Sequence, residues 1–238
     1  MIYEHTDGDY RYLLNDSYVS DFEVDRWVSA FEPEYLKSQN RVSRVAKGRG
    51  ITYFFSSGTT SFVLKHYYRG GLVRRISQDL YLWQGSDRSR AEQEIRLLDK
   101  LHQLDLPVPQ PVASRVRRRG RFYQADLITT ELVGAQSLSG VLYKQSMETT
   151  DWRKIGALIR RFHEHNVFHA DLNAHNIMVN ERGLFLIDFD NGSIRAGNSW
   201  KSSNLRRLER SLSKLKSLNS ELNHDQACWD QLVRGYKE

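Results

Sequence analysis

One stretch decides the fold: His169-Ala-Asp171-Leu-Asn-Ala-His175-Asn176-Ile-Met-Val-Asn-Glu-Arg-Gly-Leu-Phe-Leu-Ile-Asp188-Phe189-Asp190. Within it, Ile177–Val179 and Leu184–Ile187 are short apolar runs, and Asn180-Glu-Arg-Gly183 between them reads as a four-residue hairpin loop. Pairing Val179 with Leu184 sets Asn176 across from Ile187, beside Asp188. Facing backbones in such a pair lie roughly 5 Å apart, so an amide oxygen and a carboxylate converge on one small volume. Hard oxygen donors that leave room for water and phosphate suit Mg²⁺. Asp171 precedes Asn176 by five residues and stands outside the hairpin, a carboxylate beside the metal that can take a proton. General base, amide ligand and carboxylate ligand together are the parts of phosphoryl transfer. The bland alternative is a hairpin decorated with capping residues. It leaves Asp188 directly after a buried apolar strand with no counter-ion, which is costly.

The rest of the chain bounds this reading. Its 238 residues suit one large domain or two closely packed lobes. Hydrophobic residues make up 39% and charged residues 27%, which excludes wholesale disorder. The longest apolar run is Leu184–Ile187, far short of the roughly 18 residues that cross a bilayer. The N-terminus lacks the basic start and apolar stretch of a signal peptide, and the single cysteine, Cys228, can form no internal disulfide. A reducing cytoplasm is the expected setting. With 35 Lys+Arg against 29 Asp+Glu, the net charge is +6, and the pI near 9.4 points to an anionic partner.

The first half reads as short strands over residues 42–46, 51–56 and 61–66, then a helix over about 89–104 and a hairpin of 111–116 with 121–128. In the second half, Trp152, Ile155, Ile159 and Phe162 mark an amphipathic helix after the capping candidate Thr150. Short strands follow over 167–190, and the tail from 202 is helical, with Leu205, Leu208, Leu212 and Leu215 on one stripe. The order is a small antiparallel sheet with one helix, then a mainly helical part. The expected boundary lies near 130–139, giving lobes 1–130 and 131–238.

The segment 169–190 resembles the protein-kinase-like superfamily in residue types, order and spacing. The resemblance implies an α+β bilobal fold: an antiparallel sheet N-lobe with one helix, and a shortened, mainly helical C-lobe. Asp171 matches the catalytic aspartate, and Asn176 and Asp188 match the two magnesium ligands. Upstream, Lys65 sits in an apolar strand, where a lysine is unexpected unless it points into a phosphate site. Its expected partner is Glu94, which shares a helix face with Leu98 and Leu101; Glu92 leans instead toward Arg96 and Asp99. Gly48 and Gly50 would form the phosphate-covering turn, with no third glycine at the usual distance. Glu131 and Val133 fall where the hinge that contacts adenine would lie.

Two departures narrow the class. The catalytic loop reads His-Ala-Asp, without the arginine that receives activation-loop phosphate in many protein kinases. The metal triplet is Asp-Phe-Asp, and only 50 residues follow Asp188, too few for a peptide-binding subdomain. The acceptor is expected not to be a protein.

Taken as a whole, the chain is similar to the heptose/Kdo kinase group of lipopolysaccharide core assembly in Gram-negative bacteria. The resemblance covers about residues 40–215. It rests on Gly48-Arg-Gly50, Lys65-His-Tyr-Tyr-Arg69-Gly-Gly-Leu72, Asp79-Leu-Tyr-Leu-Trp83 and Pro107-Val-Pro-Gln-Pro111, besides the loop 169–190. In the tail it adds Trp200 and Asn204-Leu-Arg-Arg-Leu-Glu-Arg-Ser-Leu212. It implies ATP as donor, Mg²⁺ as cofactor, and the 4-hydroxyl of a 3-deoxy-D-manno-octulosonic acid (Kdo) residue in Kdo-lipid IV-A as acceptor. The alternatives are a heptose acceptor or another small-molecule phosphotransferase of the aminoglycoside or choline type.

Such an acceptor is an anionic lipid, so the basic clusters find a role at the cytoplasmic face of the inner membrane, where the protein would bind peripherally. The clusters are Arg115 to Arg121 at a hairpin tip, Arg69, Arg74 and Arg75 after Lys65, and Arg206, Arg207 and Arg210 in the tail. A basic nucleic-acid-binding protein would use the same charge but gives no reason for Lys65, Asp171, Asn176 and Asp188 to coexist. No nucleic acid is expected as partner, and no obligate protein partner is evident. His163, His165, His169 and His175 cluster, but no cysteine or carboxylate completes a zinc ligand set.

Overall fold

The computed structural model describes residues 1–19, 27–47, 50–68 and 79–238. Gly48 of the expected glycine turn, and Arg69, Arg74 and Arg75, lie outside the described residues. The chain divides into two compact units: Met1–Lys100 with Pro109–Glu131, and Leu101–Val108 with Leu132–Glu238. Residues 101–108, which precede the boundary expected from the sequence, therefore belong with the second unit.

The first unit is built on an antiparallel sheet. Its strands are Ile2–Asp7 (β1), Tyr10–Asn15 (β2), Val42–Lys47 (β3), Ile51–Ser57 (β4), Thr60–His66 (β5), Tyr81–Leu82 (β6), Pro111–Arg119 (β7) and Phe122–Thr130 (β8). Their order is β1-β2-β7-β8-β5-β4-β3, with β6 paired to the start of β8. Strands β3, β4 and β5 and the β7–β8 hairpin match the sequence expectation, and the hairpin turns at Gly120, whose φ of 60° suits glycine. Side chains alternate faces along a strand. Phe62 and Leu64 of β5 accordingly join a core with Tyr12, Phe31, Leu36, Phe55, Val112 and Ile128. Much of that face is covered by the short helices Asp16–Val19 (α1) and Pro33–Ser38 (α2) and the 3₁₀ turn Trp27–Phe31. Lys65, one residue out of step, points to the opposite face, toward the helix Arg90–Gln103 (α3).

The second unit is mainly helical: Leu138–Lys144 (α4), Thr149–Glu164 (α5), Ser199–Leu218 (α6) and Gln226–Lys237 (α7). Small strands Gln136–Ser137 (β9), Ile177–Asn180 (β11) and Gly183–Leu186 (β12) form one sheet, and Val167–Phe168 (β10) pairs with Ser193–Ile194 (β13). Helix α5 buries Trp152, Ile155, Ile159 and Phe162, the stripe read from the sequence. Its N-cap is Glu148 rather than Thr150, which lies inside the first turn. Helices α5 and α7 meet at Gly156 and Gly235. A Cβ on Gly156 would overlap the Leu232 carbonyl oxygen, and one on Gly235 would overlap the Arg153 backbone. On α6 the buried stripe runs Asn204, Leu208, Leu212 and Leu215, with Asn204 in the place expected for Leu205.

Candidate active site

The β11–β12 hairpin has the register expected from the sequence, Val179 opposite Leu184. Asn180 also pairs with Gly183, so the loop is only Glu181-Arg182, two residues instead of four. Beyond the last strand pair, the Ile187 N–H donates to the Asn176 carbonyl at 3.0 Å. Asn176 and Asp188 are thereby held next to each other. Asp188 adopts φ = 63°, a left-handed conformation that Asp tolerates better than most residues.

His169 ties the preceding loop to this hairpin. The Asp171 N–H donates to its Nδ1 at 3.2 Å, so Nδ1 is an acceptor. Nε2 then carries the proton and donates to the Ile187 carbonyl at 2.9 Å. The neutral Nε2–H tautomer follows from the two partners. Asn173 completes the loop: its Oδ1 accepts the N–H groups of His175 (2.8 Å) and Asn176 (3.2 Å), a side-chain turn. The amide nitrogens of Asn173 and Asn176 both donate to the Asp171 carbonyl at 2.9 Å. With its nitrogen engaged, Asn176 has its Oδ1 left to offer. An amide oxygen and a carboxylate at neighbouring backbone positions are a hard-oxygen donor pair that fits Mg²⁺.

Helix α6 anchors the loop from outside. The Asn204 Nδ2 donates to the His169 carbonyl at 2.7 Å. Its Oδ1 accepts from His163 Nε2 at 3.1 Å, and His163 Nδ1 in turn meets the Tyr236 hydroxyl at 2.8 Å. Burial pushes His163 down to about 4, so this ring stays neutral. Three residues beyond Asn204, Arg207 places Nη1 3.0 Å from Asp171 Oδ1. Sequence reasoning missed that pair, having assigned Arg207 to a lipid-facing cluster. The other two clustered histidines have protein partners as well, His165 with the Arg161 carbonyl and His175 with Ser139 Oγ.

In the first unit, Lys65 Nζ lies 3.1 Å from Glu94 Oε2. The Tyr67 hydroxyl donates to the same oxygen at 2.5 Å, and Lys65 Nζ sits 4.7 Å from the Tyr67 ring centroid. Nothing in the sequence marked Tyr67 as a partner of Glu94. Glu92 takes a different environment, hydrogen-bonded to Ser89 Oγ at 2.5 Å and ion-paired with Arg11 at 3.2 Å. Burial pushes its carboxyl up, against Ser89 and Arg11, which favour the charged form. Two residues apart on a helix means nearly opposite sides, so only one of the two glutamates can meet Lys65. Gly50 lies where a Cβ would collide with the Tyr68 ring. Glu131 pairs with Arg44 at 3.3 Å, and its N–H donates to the Ser61 carbonyl at 2.8 Å. Val133, in the second unit, is exposed, and its carbonyl accepts from Asn180 Nδ2 at 3.1 Å.

The arginine tip is smaller than expected. Arg115 is only 12% exposed, bonds Asp126 at 2.9 Å and also pairs with Glu32, so it serves the fold. Arg118, Arg119 and Arg121 remain exposed.

Comparison with known proteins follows the same lines. A family model described as "Lipopolysaccharide kinase (Kdo/WaaP) family" matches residues 33–236. A 3-deoxy-D-manno-octulosonic acid kinase of Actinobacillus succinogenes is 38% identical over 215 residues, covering 87% of this chain and 89% of the relative. One from Haemophilus influenzae is 38% identical over 218 residues, covering 87% and 90%. One from Vibrio vulnificus is 36% identical over 238 residues, covering 100% and 99%. A match of this extent, end to end in the last case, makes the chain a member of the lipopolysaccharide kinase (Kdo/WaaP) family.

Proposed function

We propose that the protein transfers the γ-phosphate of ATP to the 4-hydroxyl of the Kdo residue in Kdo-lipid IV-A. It is a phosphotransferase with an alcohol acceptor, and the named relatives favour Kdo over a heptose or an aminoglycoside. The observation that carries the reading is the tie made by His169. One imidazole bridges the Asp171 N–H and the Ile187 carbonyl, while Ile187 closes on Asn176. Three groups of distinct chemistry are thereby held in one loop.

In this reading Asp171 accepts a hydrogen bond from the acceptor hydroxyl, orients it and takes its proton as the phosphoryl group transfers. Lys65, kept extended by Glu94 and Tyr67, binds the α- and β-phosphates. Gly48 and Gly50 are assigned to the phosphate-covering turn, Gly48 lying outside the described residues. Adenine offers a donor and an acceptor edge; the Glu131 carbonyl and the Val133 N–H are their counterparts, since the Glu131 N–H is committed to Ser61. Asn176 Oδ1 and the Asp188 carboxylate would hold Mg²⁺, which when bound would supply neutralisation of phosphate charge. Most of the acceleration is positioning and charge neutralisation. The units then act as the two lobes of a kinase-like fold, Met1–Lys100 with Pro109–Glu131 for nucleotide and Leu101–Val108 with Leu132–Glu238 for transfer.

The acceptor is an anionic lipid of the inner leaflet, and the protein meets it at the cytoplasmic face as a peripheral enzyme. No described helix is long and apolar enough to cross a membrane. The surface that supports the reading is the β7–β8 tip, where Leu82 and Phe122, 52% and 43% exposed, face each other across a strand pair. Arg119 is the strand partner of Phe122, Arg121 precedes it in sequence, and Arg118 lies 5.2 Å from the Trp83 ring centroid.

Purified protein with labelled ATP, offered Kdo-lipid IV-A, heptosylated core and an aminoglycoside, should label the first. Label in only the other two would reject the acceptor. Asp171→Ala should lower transfer by about 100- to 10,000-fold with the fold intact; full activity would sink the mechanism.

A further inference from the structure

Arg207 pairs with Asp171, and phosphoryl transfer as proposed gives it no task. Its guanidinium spends Nη1 on Asp171 Oδ1 at 3.0 Å, and among the described residues this is its one polar partner. The side chain is 46% exposed and the aspartate 34%, so both face solvent where an acceptor must arrive. The placement is fixed from below. Asn204, one turn earlier on α6, is buried and bonded to the His169 carbonyl, and Leu208 is buried beside it. The backbone of Arg207 is therefore held beside the loop.

A guanidinium presents a planar fork of N–H donors that matches a carboxylate. Contact with Asp171 uses one prong and leaves the others for a second anion. If the acceptor is Kdo, which is the reading this inference rests on, that anion is built into the substrate. The carboxyl carbon hangs from C2 of the sugar acid and the reacting hydroxyl from C4. Four covalent bonds separate that carbon from the hydroxyl oxygen, a span of at most about 5 Å. A hydroxyl donating to Asp171 Oδ2 at about 2.7 Å brings the sugar carboxylate within hydrogen-bond reach of a guanidinium on Oδ1. A neutral heptose has no group to offer there.

We propose that Arg207 binds the carboxylate of the acceptor sugar, so that the cation held on the general base also selects an acidic sugar over a neutral one. Arg207 thus sets both the register of the sugar and its identity. The hydroxyl presented to Asp171 is the one a fixed distance from the carboxylate.

The test compares Kdo-lipid IV-A with the methyl ester of its Kdo carboxylate, a probe of the same shape without the charge. Wild-type protein should lose about 10- to 100-fold in kcat/KM on the ester, the worth of a charge-assisted hydrogen bond. Arg207→Gln should be slow on the acid and show no further loss on the ester. Arg207→Lys, which keeps the charge without the fork, should give an intermediate ratio and guards against a Gln variant too slow to measure. An Arg207→Gln variant that keeps the wild-type acid-to-ester ratio would overturn the proposal, because the guanidinium would then serve only Asp171 or the phosphate. So would a wild-type protein that does not distinguish the two acceptors. A wild-type protein that phosphorylates neutral sugars but not the Kdo acceptor removes the functional reading itself, and the assignment falls with it.

Discussion

His163 concentrates several demands on one side chain. It donates to Asn204, meets Tyr236, and is pushed down to about 4 by burial. An unfolded histidine titrates near 6.5. Between those values the unfolded chain binds the proton that the folded ring refuses, so stability is present above about 6.5 and lost as pH falls toward about 4. The contribution is on the order of 3 kcal/mol. Urea unfolding across pH 7 to 4 should therefore show a steeper loss for wild type than for His163→Gln, which starts lower at pH 7. Parallel curves would contradict the assignment. At this scale the sequence was most readable where chemistry is unusual for its setting, as with Lys65 in an apolar strand or Asp188 after one. Tyr67 and Arg207 were not readable. A tyrosine near a strand end and an arginine on a helix look the same whether they touch a carboxylate or water, and their partners lie 27 and 36 residues away.

Elements were legible where their periodicity was strong. β4, β5, α3 and α5 carry their apolar residues at strand or helix spacing and lie within a residue or two of the expected bounds. β1 has no such signal, because nearly all of it is exposed and after Ile2 and Tyr3 its side chains are polar. Helix α7 contains Gly235, which in a sequence reads as a break. Its reason is tertiary: Gly235 and Gly156 let two helix backbones approach. Intrinsic propensity predicts that Ala at either position stabilises by about 1 kcal/mol. Packing predicts the reverse, since the colliding atoms are backbone and cannot rotate away. Gly156→Ala and Gly235→Ala should each destabilise by about 1–3 kcal/mol, seen as a lowered Tm. A raised Tm would mean the helices can slide apart at no cost.

For the whole molecule, net charge proved a poor guide to available charge. Of the expected basic surface, Arg115 is committed to Asp126 and Glu32, and Arg207 to Asp171. Arg118, Arg119 and Arg121 remain exposed, as do Leu82 and Phe122. Basic residues near an anionic surface contribute about 1 kcal/mol each, so neutralising all three should weaken vesicle binding on the order of 100-fold. Co-sedimentation with vesicles containing phosphatidylglycerol should show that loss for the triple Arg→Gln variant, together with a steep fall with salt in the wild type. Phe122→Ser should weaken binding at all salt concentrations. Binding untouched by either change would move the membrane surface elsewhere on the protein.

The chain of hydrogen bonds from Tyr236 through His163 and Asn204 to the His169 carbonyl also sets a timetable. A ribosome delivers residues 169–190 before it delivers α6 and α7, and domains fold as their residues emerge. The loop with its aspartate thus leaves the exit tunnel ahead of the side chains that hold it in place. A nascent chain carries the loop before the contacts that align it, and α7 supplies the last of them.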